Sequence, residues 1–343
     1  MRTCYIFLLL FAVALLPQAD ARSKRRTPKR GQAERAKVVR PPAASFDAAA
    51  VNNPQTLDAV GPDSAGSAVV RIQILLDRAH FSPGEIDGHY GDNLRVALVG
   101  YQSARQLNPT GVGDPDTWKS LNADTEPQLI PYTITADDVK GPFEPVPEDM
   151  MAKAKLEALG YQSPQEELGE RFHIDPKLLS ELNPGKDLSK AGEEIAVPNV
   201  HRAPPPQAAR VEVSKSNRTV TGFSTDGTII AEYPATMGSE HDPLPIGQWK
   251  VLGVQRNPWF NYNPALFWDA KPEDAKARIR PGPNNPVGVV WIALSKEHYG
   301  IHGTPEPAKI GHTESHGCIR LTNWDAEELS EMVKPGTPAT FQE

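Results

Sequence analysis

Cys318 is the residue whose neighbours best suit it to covalent chemistry. It stands in the segment Ile301–Thr322, which reads IHGTPEPAKIGHTESHGCIRLT, directly after Gly317. A cysteine among small residues in a tight turn can present both its sulfur and its backbone N–H to one carbonyl group, as acyl transfer requires. Because free cysteine has a pKa of about 8.5 and the thiolate is the attacking form, a base must stand close to it. His302 and His316 are the candidates.

The positions of the two histidines predict different roles. His316 is two residues before Cys318, so its side chain can share the side of the thiol, shape the pocket and donate a hydrogen bond to substrate. His302 belongs to a different strand end and can reach the sulfur across a sheet, so we assign it as the general base. Such an imidazole needs an acceptor at its other nitrogen, and the backbone carbonyl near Gly303 is the simplest candidate.

Two other interpretations of the same residues have to be weighed. His298, His302, His312 and His316 form two His-x-x-x-His pairs beside Cys318, which makes a zinc site conceivable. Pairs with this spacing need helices, whereas the surrounding glycines and the preceding apolar run indicate strand and loop. We therefore predict no metal and no cofactor. A buried, inert thiol is the second alternative, and the polar neighbours and flanking glycine argue against it.

Four segments, in order, resemble the L,D-transpeptidase catalytic domain of the YkuD type: PLPIGQWKV, PGPNNPVG, IHGT and SHGCIRLTNWDAEEL. The resemblance covers about residues 208–343. It implies that Cys318 is the acylated nucleophile and that His302 donates and accepts protons. It also implies that Gly303 supplies the orienting carbonyl, and that Gly317 and Cys318 lie at the oxyanion hole.

The same resemblance indicates residues that contact the substrate. Arg320 matches the family's Arg after the Cys-Ile pair, and its fork of donors suits the carboxylates and amides of a peptide stem. Ser315 and Thr304 lie in the two motifs and are predicted to bind substrate as well. Trp249 is predicted to belong to the core. Four other aromatic residues could line a cleft, and the alternative is that most of them also belong to the core: Trp259, Phe260, Phe267 and Trp268.

The elements that must position these residues are mostly strands. From residue 208 the hydrophobic pattern alternates with a period of two, as in β-strands. One late segment has the period of a helix, Trp324 to Met332. The strand candidates are Val211–Val213, Thr219–Phe223, Thr228–Tyr233, Trp249–Val254 and Val287–Leu294.

Residues 67–122 predict a small three-helix domain. Apolar residues recur at helical spacing in Val69–Leu76 and in Leu94–Tyr101. Asp114 followed by Pro115 is typical of a helix start, which places a third helix up to Leu121. With its Asp-Gly turn and its tryptophan, the segment resembles the three-helix peptidoglycan-binding domain found beside cell-wall enzymes.

Residues 125–203, the middle region, give a weaker pattern. ALGYQSPQEELGERFHIDPKLLSELNPG and LSKAGEEIAVPNV resemble a degenerate LysM module, with two helices and a closing strand. The usual opening strand is not evident, so a spacer and a glycan-binding domain both remain open. Pro204, Pro205 and Pro206 then form a stiff connector that predicts a domain boundary.

The first 66 residues predict export and a linker. Residues 1–21 have the apolar run Ile6–Leu16 and an Ala-Asp-Ala cleavage signature, as in a signal peptide; an uncleaved anchor is the alternative. Residues 22–66 are predicted to be a basic disordered arm and linker. The arm, residues 22–40, carries nine Lys or Arg and one Glu, a net charge of +8. It could attract anionic envelope polymers or lipid head groups, or be a solvated spacer.

Together these features predict a multidomain α+β protein: a small three-helix domain, a LysM-like α/β spacer and a mostly-β L,D-transpeptidase domain. The net charge of −7 argues against a nucleic-acid partner. Cleavage would remove Cys4 and leave Cys318 unpaired. We expect an exported enzyme of the periplasm or cell envelope that acts on peptidoglycan stem peptides and glycan and forms 3→3 cross-links through a thioester. The alternatives are an L,D-carboxypeptidase, a lipoprotein-anchoring transpeptidase and a non-catalytic peptidoglycan-binding protein.

Overall fold

The computed structural model describes residues 46–343 of the chain. The predicted signal peptide, residues 1–21, and the predicted basic arm, residues 22–40, lie outside the described residues. Within the described part, no helix combines the length and the apolar character needed to cross a bilayer.

The secondary structure alternates between helical and strand-rich stretches along the described chain. Its α-helices are α1 Ala48–Asn52, α2 Ser67–Arg78, α3 Asp92–Ala104, α4 Pro115–Leu121, α5 Met150–Lys153, α6 Pro164–Arg171, α7 Pro176–Leu182 and α8 Asn323–Met332. Its first strands are β1 Leu129–Thr133, β2 Glu194–Pro198, β3 Arg210–Ser214, β4 Thr219–Phe223, β5 Ile229–Pro234, β6 Thr236–Met237 and β7 Gly247–Arg256. The remaining strands are β8 Phe260–Tyr262, β9 Ala277–Ile279, β10 Val290–Leu294, β11 Gly300–His302, β12 Ile319–Arg320 and β13 Pro338–Gln342.

Helices α2, α3 and α4 surround the small core that the sequence predicts. Asp114 caps α4, because its Oδ1 accepts a hydrogen bond from Thr117 N at 2.8 Å, and Pro115 takes the first helical position. Trp118 is 2% exposed, and its Nε1 donates to Asp58 O at 3.0 Å. The predicted third helix is therefore confirmed.

Residues 46–66 differ from the linker predicted for this stretch. They contain α1, whose Val51 is fully buried in the core of the middle region. Val60 is fully buried in the three-helix core, and its backbone pairs with that of Gly113 at N–O distances of 2.7 and 3.3 Å. The linker prediction is wrong for these residues. Although the segment is polar and rich in proline, each of its two buried valines packs into the core of a neighbouring region.

The middle region is built around one antiparallel strand pair. Leu129 of β1 lies opposite Pro198 of β2, and Thr133 lies opposite Glu194. Helices α6 and α7 stand between the two strands in sequence. Sequence analysis missed β1 because a long segment, residues 134–163, separates it from α6 and because its partner strand is remote in the chain. The likeness to a LysM module stays a prediction.

The C-terminal region forms a nine-stranded sheet with α8 packed against it, and β8 and β9 form a separate antiparallel hairpin. The strand order is β5-β4-β3-β13-β7-β10-β11-β12-β6. The predicted segments Trp249–Val254 and Val287–Leu294 correspond to β7 and β10, and the predicted late helix corresponds to α8. The side chain of Thr322 caps α8 by accepting a hydrogen bond from Asp325 N at 3.1 Å. The predicted multidomain α+β fold with a mostly-β C-terminal domain is confirmed.

A buried charged network joins the three regions beside α8. Arg202 lies 3.4 Å from Asp77 of α2 and 3.0 Å from Glu328 of α8. His173 Nδ1 lies 3.1 Å from Asp77, and His80 Nδ1 lies 2.6 Å from Glu328. Because both carboxylates are almost fully buried, each is surrounded by the groups that compensate its charge. The network fixes the middle region against the C-terminal sheet.

Candidate active site

Cys318 and His302 stand at the ends of two neighbouring parallel strands. Cys318 directly precedes β12, and His302 is the last residue of β11. In the register of this pair, Ile301 lies opposite Ile319 and His302 lies opposite Arg320. Side chains alternate along a strand, and paired residues point to the same face. Cys318, Arg320 and His302 therefore share one face of the sheet.

The Cys318 thiol is half-buried and uncharged at neutral pH. Its Sγ donates a hydrogen bond to the carbonyl oxygen of His298 at 3.7 Å. Burial raises the pKa of the thiol, and a hydrogen bond with the backbone of Gly300 and the positive charge of Arg320 act in the opposite direction. Because the thiol keeps its proton at neutral pH, a base has to remove it as the sulfur attacks.

His302 is a neutral imidazole in a single tautomer. Its Nδ1 lies 2.7 Å from the carbonyl oxygen of Gly303, which can only accept, so Nδ1 carries the proton and the Nε2 lone pair is free to act as a base. The ring is 4% exposed and stacks on Trp291 at a centroid distance of 5.4 Å. Burial, together with the positive charge of Arg320, lowers the pKa of His302 to about 3. The acceptor expected at Gly303 is present.

The turn before Cys318 depends on Gly317. This residue has φ +98°, in the left-handed region that favours glycine. A Cβ here would also lie 3.0 Å from the Tyr299 ring. Ser315 Oγ donates to the carbonyl oxygen of Cys318 at 2.6 Å and so closes the turn. The role of Gly317 and Cys318 as an oxyanion hole remains a prediction, although the turn holds their backbone in one conformation.

The three residues predicted to contact the substrate differ in their burial and in their hydrogen-bond partners. Ser315 and Thr304 are each 4% exposed. Both use their hydroxyls inside their own loops, since Thr304 Oγ1 accepts from Glu306 N at 3.3 Å and Ser315 donates to the turn. Arg320 is half-buried beside the thiol, and burial lowers its pKa while the nearby Cys318, Glu306 and Asp269 raise it. Of the three, Arg320 has the position and the charge best suited to a substrate carboxylate.

His316 is held by the segment between β8 and β9. Its Nε2 lies 2.8 Å from Asp269 Oδ1. The edge of Phe267 contacts the imidazole at a centroid distance of 5.2 Å, and Trp268 stacks on it at 5.8 Å. Trp268 also stacks on His241 at 4.5 Å and is 60% exposed. The role of His316 in shaping the pocket stays a prediction. Sequence analysis missed Asp269, which contacts His316, and His241, which stacks on Trp268, because both come from remote loops.

An open cavity of about 320 Å³ lies against these rings. It is lined by histidine, tryptophan, serine and glutamate side chains, so that both aromatic faces and negative charge are presented to a ligand. The lining residues are Ser239, Glu240, His241, Trp268, Glu314, Ser315 and His316. Trp249, in contrast, packs against the core, and its Nε1 donates to Pro245 O at 2.9 Å.

Residues of the middle region pack against the β8–β9 hairpin. Leu159, which lies between α5 and α6, is fully buried in a small cluster with Tyr262 of β8 and Ile279 of β9, which are 4% and 0% exposed. Asp149 forms an ion pair of 2.5 Å with Lys271 of the same hairpin. The wall that carries Asp269 and Trp268 therefore depends on residues outside the catalytic sheet.

Two of the four histidines considered as zinc ligands have other partners. His302 is bound to the Gly303 carbonyl and His316 to Asp269. Across residues 46–343, no group of three or more His, Cys, Asp or Glu side chains is arranged to hold a metal ion.

Comparison with known proteins matches two parts of the chain to families. Residues 208–340 match the L,D-transpeptidase catalytic domain, and residues 65–121 match a peptidoglycan binding domain. The second match agrees with the resemblance seen in the three-helix region.

Individual relatives extend these matches. The protein named L,D-transpeptidase YkuD of Bacillus licheniformis is 31% identical over 174 residues, which are 50% of this chain and 89% of the relative. Its namesake in Bacillus subtilis is 32% identical over 173 residues, 50% of this chain and 88% of the relative. Among solved structures, L,D-transpeptidase 3 from Mycobacterium tuberculosis is 21% identical, covers 45% of this chain and 75% of its own, and has a TM-score of 0.33. The sequence matches span most of both relatives, and the family match over residues 208–340 includes Cys318 and His302; the chain belongs to the YkuD-type L,D-transpeptidase family.

Proposed function

We propose that this protein is an exported peptidoglycan L,D-transpeptidase that forms 3→3 cross-links through a thioester on Cys318. The observation that carries the proposal is that a neutral thiol and a neutral imidazole, whose Nε2 lone pair is free, stand on one face of the neighbouring strand ends of β11 and β12. A neutral pair of this kind suits general-base catalysis, because proton transfer and sulfur attack occur together.

In the first half-reaction, Cys318 Sγ attacks the carbonyl carbon of the third stem residue while His302 Nε2 takes the thiol proton. A carbon–sulfur bond forms, and the carbonyl oxygen becomes negative beside the Gly317 turn. The carbon–nitrogen bond to the terminal D-amino acid then breaks, and His302 returns the proton to the leaving amine. The stem remains as a thioester.

In the second half-reaction, the amine of a neighbouring stem attacks the thioester carbonyl. His302 takes a proton from this amine, the new carbon–nitrogen bond forms, and the carbon–sulfur bond breaks. Cys318 recovers its proton, so the protein returns to its initial state without a cofactor. Arg320 lies beside both groups and is suited to hold a carboxylate or amide of the stem.

The three-helix region supports peptidoglycan as the substrate polymer. Its match to a peptidoglycan binding domain favours a role in holding the enzyme on the wall, and the substrate then lies in the periplasm or cell envelope. Attraction of anionic envelope polymers by residues 22–40 is a separate prediction that this reaction does not require.

Intact-mass measurement with a carbapenem tests the nucleophile. We expect one covalent adduct on the wild-type protein and none on the Cys318→Ala variant. In cells that express the two proteins, the muropeptides should contain more 3→3 cross-links with the wild type. The absence of an adduct together with equal 3→3 content would overturn the proposal and leave a peptidoglycan-binding protein. An adduct with more tripeptide stems but no added cross-links would instead identify water as the acceptor, which makes the enzyme a carboxypeptidase.

A further inference from the structure

A half-buried carboxyl group outside the catalytic sheet is connected, through one asparagine, to the peptide that holds the catalytic base. Glu170 stands in α6 of the middle region, and its Oε1 accepts a hydrogen bond from Asn323 Nδ2 at 2.5 Å. Asn323 is the first residue of α8 and is 2% exposed. The contact therefore links the middle region to a side chain buried beneath the active-site strands.

The amide of Asn323 is held in one orientation. Its Oδ1 accepts a hydrogen bond from Val289 N at 3.2 Å, and its Nδ2 donates to Pro283 O at 3.2 Å as well as to Glu170. A backbone N–H can only donate and a carbonyl oxygen can only accept, so these partners define which atom is oxygen and which is nitrogen. Without the Glu170 carboxyl, one N–H of the buried Asn323 side chain loses its protein partner, which is costly for a buried donor.

Asn323 in turn packs tightly against Gly303. A Cβ at Gly303 would lie 2.1 Å from Asn323 Oδ1, and one at Gly288 would lie 2.0 Å from the same atom. The amide oxygen therefore fills the space over both glycines. Since the Gly303 carbonyl accepts the hydrogen bond from His302 Nδ1, a displacement of Asn323 shifts the peptide group that orients the imidazole.

The environment of Glu170 keeps its side chain neutral at pH 7. Burial raises the pKa of this carboxyl to about 8, while the hydrogen bond from Asn323 acts in the opposite direction. A neutral carboxyl that accepts one hydrogen bond has the shape and polarity of a glutamine side chain. The titratable groups that face it are Glu85, Glu166, Glu327 and Tyr161.

We propose that Glu170 is a positioning residue for the catalytic base: through Asn323 and Gly303 it holds the His302 imidazole in line with the Cys318 thiol. The inference rests on the proposed function, because it concerns the base of that reaction. It gives the middle region a part in catalysis, beyond the spacer and glycan-binding roles that its sequence leaves open.

Single substitutions in the full-length protein test the proposal with a carbapenem as the probe. We expect Glu170→Ala to lower the acylation rate constant about tenfold and to change the half-saturating concentration by less than about twofold, because misorientation of a base affects the chemical step rather than binding. Glu170→Gln should recover the wild-type rate. Glu167→Ala is the matched control, since Glu167 lies on the same helix but pairs with Arg171 at 2.9 Å, and it should react like the wild type.

A double-mutant cycle shows whether Glu170 acts through Asn323. When Asn323→Ala is already present, adding Glu170→Ala should change the rate by less than about twofold, because the same path has already been removed. Glu170→Met, which keeps most of the volume but accepts no comparable hydrogen bond, replaces Glu170→Ala if the alanine variant does not fold, and the same tenfold loss is expected.

Two results would overturn the inference: a wild-type rate in both the alanine and methionine variants, or a further tenfold loss in the Asn323→Ala background. Both are distinct from a failure of the proposed function, in which the wild-type protein itself forms no adduct.

Discussion

Acylation of Cys318 is expected to be nearly independent of pH over the range in which an ordinary histidine titrates. His302 has a pKa lowered to about 3 by burial and by Arg320, and burial raises the pKa of the Cys318 thiol. Both partners are therefore already in their reactive protonation states at pH 7.5. Lowering the pH to 5 changes neither of them.

Three mechanisms predict clearly different losses of the acylation rate when the pH falls from 7.5 to 5. With a pKa of about 3, about 99% of the His302 imidazole is neutral at pH 5, so the rate stays within about twofold. An imidazole with the ordinary pKa of about 6.5 would be only about 3% neutral, which gives a loss of about 30-fold. Attack by a thiolate formed without a base would lose about 300-fold, since the thiolate fraction falls tenfold per pH unit.

Stopped-flow measurement of carbapenem acylation between pH 5 and 7.5 distinguishes these cases. Reaction of the same carbapenem with free cysteine is the reference, and its rate should show the 300-fold fall. His298→Gln is the matched control, because the side chain of His298 is exposed at 62% and the substitution leaves the proposed base intact. It should keep the flat profile. A loss of 30-fold or more in the wild-type protein would refute the assignment of a neutral His302 as the base.

Three further perturbations follow from the same structure. Asp269→Asn weakens the contact with His316. Loss of a hydrogen bond of about 1 kcal/mol should raise the half-saturating carbapenem concentration about fivefold and leave the acylation rate constant unchanged. A lower rate constant at an unchanged half-saturating concentration would contradict this prediction. Leu159→Ala should lower the free energy of unfolding by about 2–5 kcal/mol. It should also speed hydrogen exchange in the β8–β9 hairpin more than in β10, and an equal increase in both elements would contradict this prediction. Burial raises the pKa of Asp325 to about 8, so the folded protein holds a proton that the unfolded chain releases above pH 4. This contribution to stability is present below about pH 4 and is lost, by up to about 1.4 kcal/mol per unit, as the pH rises to about 8. In urea unfolding, Asp325→Asn should therefore be more stable than the wild type at pH 9 but not at pH 4. If the free energies of unfolding of the two proteins differ by the same amount at both pH values, the prediction is wrong.

Short-range signals account for what the sequence predicts correctly in the fold. The cap of α4 depends on Asp114 and Thr117, which are three residues apart, and the strands β7 and β10 follow from alternation within each segment. The acceptor of His302 is its own neighbour, Gly303. In each case the interacting groups lie within a few residues, so a single sequence contains the whole interaction.

Long-range packing accounts for what the sequence analysis misses. Val51 and Val60 look like linker residues, because the cores that bury them are built from later parts of the chain. Strand β1 is recognisable only beside β2, and Asp269 becomes relevant only beside His316. The hydrophobic pattern within one segment cannot predict such contacts, because each contact forms between segments that are far apart in the sequence.

The sequence by itself determines the chemistry available to this protein: a thiol after a glycine, an imidazole in a second motif, and a family resemblance that relates them. The tertiary structure decides the protonation state and orientation of these groups. Burial and the charge of Arg320 keep His302 neutral, and the contact from Glu170 to Asn323 fixes the peptide that orients it. Desolvation and close packing depend on every segment that surrounds a group, so they exist only once the chain has folded.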